Sequence, residues 1–236
     1  MIASPDNQKL KLVRRLAERR HRDREGLFVT EGEDLLEAGL RAGAEPELVL
    51  TVAGSGVAGE EVEPELLAAV SQLGSGTRVI TVWRRPEAQP VGPANVYLHG
   101  VGDPGNVGAV IRTAQALVRG SVVLGPGCAD PYGPKAVRAS MGAIFAGPPA
   151  RAGVEETVAP RFALVAHGGK PLGALPEQAT VCLGAEREGL PSAVLERCEA
   201  QLTIPLLPGA ESLNVAAAAA IACERISSRA SAGIDE

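Results

Sequence analysis

Aromatic side chains are scarce in this chain: one Trp, two Tyr and three Phe among 236 residues. So few rings cannot build the stacking platforms on which single-strand nucleic-acid binders lay successive bases, and they leave the core to Ala, Val and Leu. No apolar run approaches the ~20 residues that a bilayer span needs. The opening MIASPDNQKLKLVRRL puts polar and basic residues where a secretory signal has its apolar core, so a soluble cytoplasmic protein is expected. The four cysteines, Cys128, Cys182, Cys198 and Cys223, lack zinc-ribbon or redox spacing and read as free thiols in a reducing compartment. His21, His99 and His167 are scattered, and no metal is expected.

Net positive charge is missing too, the formal total being −5. Taken alone, that argues against a nucleic-acid partner. Residues 9–24, however, hold Lys9, Lys11, Arg14, Arg15, Arg19, Arg20, Arg22 and Arg24 against Glu18 and Asp23, a net +6 that leaves −11 for the rest. A basic module on an acidic body marks these eight cations as candidate nucleic-acid contacts, although a solvated helix face gives the same pattern. Leu10, Val13, Leu16 and Ala17 recur at three- and four-residue spacing, which predicts one amphipathic helix over residues 9–22 with a basic outer face.

Further patterns predict strands over 28–30, 48–52 and 79–83, and helices over 32–42 and 64–73, the second ending before Gly74. Such alternation implies a small α/β domain over residues 1–85. RRPEAQPVGP (84–93) has three prolines and no apolar period, and the segment 86–94 reads as a linker. Residues 95–236 read as a second α/β domain. Its strands are expected at 96–99, 121–124, 162–166, 180–183 and 201–204, and its helices at 106–118, 134–141, 192–197 and 213–227. Only the closing SAGIDE reads as disordered.

Three constellations in the second half carry chemistry. The first runs from His99 to Gly108 and on to Ile111-Arg112-Thr113-Ala114. Gly100-x-Gly102-x-x-Gly105 matches a dinucleotide fingerprint between strand and helix. Against NAD stand Asp103-Pro104 inside the turn and the absence of an acid after the next strand, which ends Leu124-Gly125-Pro126. The loop instead presents Asn106 at a helix start. Arg112 lies six residues on, nearly two turns and roughly on the same side. An amide and a guanidinium so placed could grip a ribose hydroxyl and its phosphate.

The second constellation is a hydrophobic strand, Val181-Cys182-Leu183, running into Gly184-Ala185-Glu186-Arg187-Glu188-Gly189. Loops at the carboxyl ends of parallel strands are where α/β proteins bind ligands, and Glu186 puts a carboxylate there. The third runs from Ile204 through Pro205, Leu206, Pro208 and Gly209 to Ser212-Leu213-Asn214-Val215, opening an alanine-rich helix. Ser212 is a natural N-cap, yet Ser212 and Asn214 also offer polar groups beside the Glu186 rim.

Taken in order, the three blocks resemble the SpoU (TrmH-like) branch of the SPOUT methyltransferases. Asn106, Gly108 and Arg112 are similar to its Asn-x-Gly-x-x-x-Arg motif. Gly184, Glu186 and Gly189 resemble Gly-x-Glu-x-x-Gly, and Ile204, Pro205 and Ser212 to Val215 resemble Ile-Pro…Ser-Leu-Asn-Val. Leu124-Gly125 and residues 135–143 (KAVRASMGA) look like intervening family segments, so the likeness spans most of 96–225. It implies a parallel α/β sheet with a C-terminal trefoil knot, preceded by a ribosomal-protein-like domain that binds RNA. It implies a dimer with composite sites, the alanine-rich helix packing at the interface, and transfer of a methyl group to a ribose 2′-hydroxyl of ribosomal or transfer RNA.

The cofactor implied is S-adenosylmethionine, held by Leu124, Gly125, Leu183, Gly184, Glu186, Gly189, Ile204, Leu206, Ser212 and Leu213. Asn106, Arg112, Glu186, Ser212 and Asn214 would be the catalytic set. Ala185 departs from the family, where many members carry a polar residue. The acidic body leaves RNA attraction to residues 9–24.

Overall fold

The computed structural model describes residues 1–73 and 76–230, apart from the side chains of 227–230. Gly74 and the closing SAGIDE lie outside the described residues. Two compact units are present: Met1–Pro86 with Asp130–Ala146, and Glu87–Ala129 with the chain from Gly147 on.

The first unit opens with α1 (Gln8–Leu16) and α2 (Arg19–Glu25). There follow β1 (Leu27–Glu31), α3 (Glu33–Arg41), β2 (Pro46–Val52), β3 (Glu60–Val62), α4 (Pro64–Ala68) and β4 (Val79–Arg84). The sheet order is β1-β4-β2-β3, with β4 antiparallel to both neighbours and β3 parallel to β2. Alternation along β4 feeds two cores, as a period of two dictates. Ile80 and Val82 join Leu10, Val13, Leu16 and Leu50, whereas Val79 and Trp83 join Phe28, Leu35 and Leu36.

The single helix expected over 9–22 is two helices, because Glu18 is extended at φ −94° and ψ 133°. The physical reason is Arg22. Its side chain turns inward, donates from one Nη to the carbonyls of Leu16 and Ala17, both at 2.7 Å, and pairs with Asp130 at 2.8–2.9 Å. Carbonyls at the end of α1 that a continuing helix would satisfy are satisfied by a guanidinium instead. Arg22 is thereby buried, and it leaves the exposed basic set in which the sequence had placed it.

The second unit begins with β5 (Ala94–Leu98), α5 (Pro104–Leu117) and β6 (Gly120–Leu124). The chain then contributes α6 (Pro134–Ser140) and α7 (Ala143–Ala146) to the first unit before continuing through β7 (Ala150–Arg151), β8 (Arg161–Leu164), β9 (Lys170–Pro171), β10 (Ala179–Leu183), α8 (Ser192–Leu195), β11 (Ala200–Thr203) and α9 (Val215–Ala230). The sequence placed 130–146 with the second domain. The segment packs with the first unit because Tyr132, Val137 and Ile144 close over Phe28 and Trp83. Phe28, Trp83, Tyr132 and Phe145, four of the six aromatic residues, form one cluster there with centroids 4.8–5.7 Å apart. The scarce rings are spent on a core.

The seven strands of the second sheet run in the order β7-β6-β5-β10-β8-β11-β9, all pairings parallel. β5 and β10 are buried along their whole length, as strands covered on both faces must be. α9 packs on α5 and β10 and buries Ala219, Ala222, Cys223 and Ile226. These small side chains therefore already have partners within the chain. Elements absent from the sequence reading, β3, α7, β7 and β9, have two to four residues each, too short to show a period. Among the described residues no helix is long and apolar enough to cross a membrane.

Candidate active site

Three strands of the second sheet, β10, β8 and β11, end at one cleft of about 360 Å³. Its walls come from Leu164–Ala166 after β8, the loop from Leu183 to Leu190 after β10, Ile204 and Leu206 after β11, and Ser212 to Val215 with Ala218 at the start of α9. The volume falls in the range of about 300–1,000 Å³ typical of small-molecule sites. Of the residues expected at a cofactor, Leu183, Gly184, Glu186, Gly189, Ile204, Leu206, Ser212 and Leu213 line it.

Leu124 and Gly125 do not line the cleft. They close β6, which β5 separates from β10, and a Cβ on Gly125 would lie 2.2 Å from the Tyr97 hydroxyl. Gly125 is small to admit that ring. Leu164, Val165, Ala166, Arg187 and Ala218 line the cleft without having been singled out. For the first three a signal existed, since they sit at the carboxyl end of a parallel strand.

On the rim the three motifs meet. Asn106 Nδ2 donates to Glu186 Oε1 at 2.7 Å, and Asn214 Nδ2 donates to Asn106 Oδ1 at 3.0 Å. Asn214 Oδ1 in turn accepts from the Ala216 N–H at 2.9 Å. Asn214, rather than Ser212, therefore caps α9. Asn106 is not the first residue of its helix either. α5 starts at Pro104, a position where the missing N–H costs nothing, and the Asp103 side chain accepts from the Asn106 N–H at 3.0 Å. The sequence reading took Asp103 as part of the turn, whereas the structure makes it the N-cap of α5, a role that an acid before Pro at a helix start signals.

Arg112 stands apart. Six residues advance an α-helix by about 600°, which leaves it roughly 120° around α5 from Asn106 rather than on the same side. It is exposed and is not part of the cleft wall.

Glycines hold the loops together. A Cβ on Gly184 would meet the Gly189 carbonyl carbon at 2.1 Å and Leu190 N at 2.4 Å. Gly184 is thus required by its own loop, which closes through the Gly189 N–H to Ala185 O bond at 2.9 Å, with Gly189 at φ +68°. Gly100, at φ +69°, would carry a Cβ 3.3 Å from that of Ala185. A small residue at 185 suits this close approach.

Behind the rim, the Tyr97 hydroxyl lies 3.3 Å from His99 Nδ1. Burial pushes the Tyr97 phenol up to about 12 and lowers His99, so both stay neutral near pH 7. Burial likewise raises the Cys128 and Cys223 thiols, and the neighbouring Cys198 together with burial raises Cys182. None of these is a nucleophile in waiting.

In the first unit, seven of the eight cations of residues 9–24 reach solvent. Lys9 pairs with Glu60, Lys11 with Asp6, Arg19 with Asp23, Arg20 with Glu18 and Arg24 with Glu25, while Arg14 donates to Pro5 O. Arg15 is exposed as well. Surface pairs of this kind are worth little and can be exchanged for phosphate. Among the described residues no cluster of His, Cys, Asp and Glu could hold a metal ion.

Solved structures superpose on nearly the whole chain. An AdoMet-bound rRNA methyltransferase from Sinorhizobium meliloti has a TM-score of 0.84 and 25% identity, covering 97% of both chains. A TrmH-family RNA methyltransferase from Porphyromonas gingivalis has a TM-score of 0.81 and 29% identity, covering 96% of this chain and 100% of that one. The fold is that of the SPOUT methyltransferases. The family model of the SpoU rRNA methylase family matches residues 93–224, and a model described as an MRM3-like substrate binding domain matches 7–85. The chain belongs to the SpoU rRNA methylase family. One relative, the 23S rRNA (guanosine(2553)-2'-O)-methyltransferase RlmP of Bacillus subtilis (strain 168), is 32% identical over 238 residues, 93% of this chain and 96% of the relative.

Proposed function

We propose that this chain uses S-adenosylmethionine to methylate a ribose 2′-hydroxyl of RNA, with ribosomal RNA as the substrate class. The observation that carries this reading is the cleft lined by Glu186 and Asn214, which Asn106 joins by hydrogen bonds from outside the wall. Its donor set fits the cofactor. Leu183, Leu206 and Leu213 offer apolar cover for a nucleoside, and the loop from Gly184 to Gly189 offers backbone groups. When bound, the cofactor supplies a methyl group already activated on a sulfonium, so the residues need only align an oxygen, assist loss of its proton and hold the RNA.

In this reading Asn106, Ser212 and Asn214 orient the ribose from the rim. Arg112, permanently charged and exposed on α5, holds a phosphate or the oxygen that gains charge. The exposed cations among residues 9–24 draw RNA to residues 1–85, which act as the substrate-binding domain ahead of the linker 86–94. Residues 95–236, apart from the segment 130–146 that packs with the first unit, form the methyltransferase domain, with a trefoil knot at its C-terminal part. The protein works in the cytoplasm as a homodimer with composite sites. A non-catalytic RNA-binding role on the same fold is disfavoured by an intact rim.

The test is to map 2′-O-methyl positions in ribosomal RNA of a strain deleted for the gene, and to restore them with purified protein and S-adenosylmethionine. One ribose should lose its methyl group and regain it. An unchanged methylation map, with transfer RNA altered instead, would move the substrate class.

A further inference from the structure

We propose that Glu186 is the general base of the methyl transfer, taking the proton of the 2′-hydroxyl on its second oxygen, Oε2. The inference rests on reading the cleft as a ribose methyltransferase site.

The hydrogen-bond chain on the rim has a direction. The Ala216 N–H can only donate, so Asn214 Oδ1 faces it and Asn214 Nδ2 points onward to Asn106 Oδ1. That contact turns Asn106 Nδ2 toward Glu186, where the chain ends on a carboxylate oxygen, an acceptor. Oε1 is thereby engaged in orientation. Oε2 has no protein partner among the described residues, and Glu186 lines the cleft. Asn106 and Asn214 are positioning residues that aim this carboxylate.

The rest of the wall offers no rival. Glu186 is the one carboxylate lining the cleft among the described residues, and no His, Lys, Tyr or Cys lines it. Arg187 and Arg112 are guanidinium cations that do not give up a proton in proteins, and amides are not bases. Other titratable groups belong to the elements of this corner. Arg187 lines the cleft beside Glu186, Glu188 follows in the same loop, Glu211 precedes Ser212, Arg112 lies farther along α5, and Asp103 caps α5 through the Asn106 N–H.

The step balances. The new O–C bond forms as the C–S bond breaks, its electron pair staying on sulfur. The O–H bond breaks and its proton passes to Glu186 Oε2. The sulfonium cation and the carboxylate anion disappear together, leaving a neutral thioether, an ether and a carboxylic acid.

The test is Glu186→Gln, which keeps the size of the side chain and an oxygen to accept from Asn106 but removes the base. Single-turnover methylation of 23S ribosomal RNA from the deletion strain would be followed across pH, with S-adenosylmethionine affinity measured by calorimetry. The Gln variant should bind the cofactor as the wild type does, lose about 10²–10⁴-fold in rate, and lose the acid limb along which the wild-type rate falls as the carboxylate is protonated. Glu186→Asp should recover part of the rate and the acid limb. A Gln variant with the wild-type rate and limb would overturn the proposal. So would a rate loss matched by an equal loss of cofactor affinity, which would make Glu186 a cofactor ligand only. A wild type that binds the cofactor and leaves the ribose unmethylated would overturn the reading of the cleft, and this proposal with it.

Discussion

Two polar networks in this chain each join residues 108 positions apart, and they differ in what surrounds them. Arg22 and Asp130 meet in the first unit with side chains only 6% and 7% exposed. There Nε and both Nη atoms of the guanidinium have acceptors, and the second Asp130 oxygen accepts from the Tyr132 N–H at 3.0 Å. Asn106 and Asn214 meet in the second unit on the rim of an open cleft, in a chain that ends on a carboxylate with an oxygen to spare. A network closed on itself away from water fixes local structure and is costly to interrupt. A network left open at a wet rim orients groups for a ligand and adds little to stability.

Breaking the closed network should have the largest effect. Arg22→Ala would leave Asp130 as an unpaired buried charge and two helix-end carbonyls without a donor, at a cost of about 3–5 kcal/mol. Urea unfolding measures it, and a loss under about 1 kcal/mol would show the pair to behave like an exposed one. Next comes the loop that carries the open network. Gly184→Ala would push a Cβ into the Gly189–Leu190 backbone, an overpacking of about 1–3 kcal/mol that should appear as lost S-adenosylmethionine affinity in calorimetry. Unchanged affinity in a folded variant would detach this loop from the cofactor.

The smallest effect on stability is expected at the exposed arginines, the counterparts of Arg22 in the same basic stretch. Changing Arg14, Arg15, Arg19 and Arg20 together to Gln should leave stability within about 0.5 kcal/mol. It should weaken RNA binding and flatten its salt dependence, because each phosphate contact releases counterions. An unaltered salt slope would make these cations a solvated face and would restrict RNA contact to other surfaces.

Much of this was legible from residues alone. Apolar pattern located most of the longer strands and helices, because burial leaves a spacing on an element covered on one face and an unbroken apolar run on a strand covered on both, as in β10. Motif order located Asn106, Glu186, Ser212 and Asn214 because glycine, proline and capping residues are needed where the chain turns sharply at a strand end. Pattern could not show which of eight like-charged side chains turns inward, since Arg22 differs from Arg20 only in having Asp130 opposite it, a partner 108 residues away. Nor could it show that Gly184 is small for the sake of Gly189 and Gly125 for the sake of Tyr97.

What the sequence determined by itself was local: element type, turn chemistry and the inventory of polar and small groups placed at strand ends and helix starts. Tertiary structure alone decided which of those groups touch, which way each amide points, and which charge is buried. Those outcomes depend on distances between residues far apart in the chain, and such distances are set only when each sheet packs with the helices of its own unit.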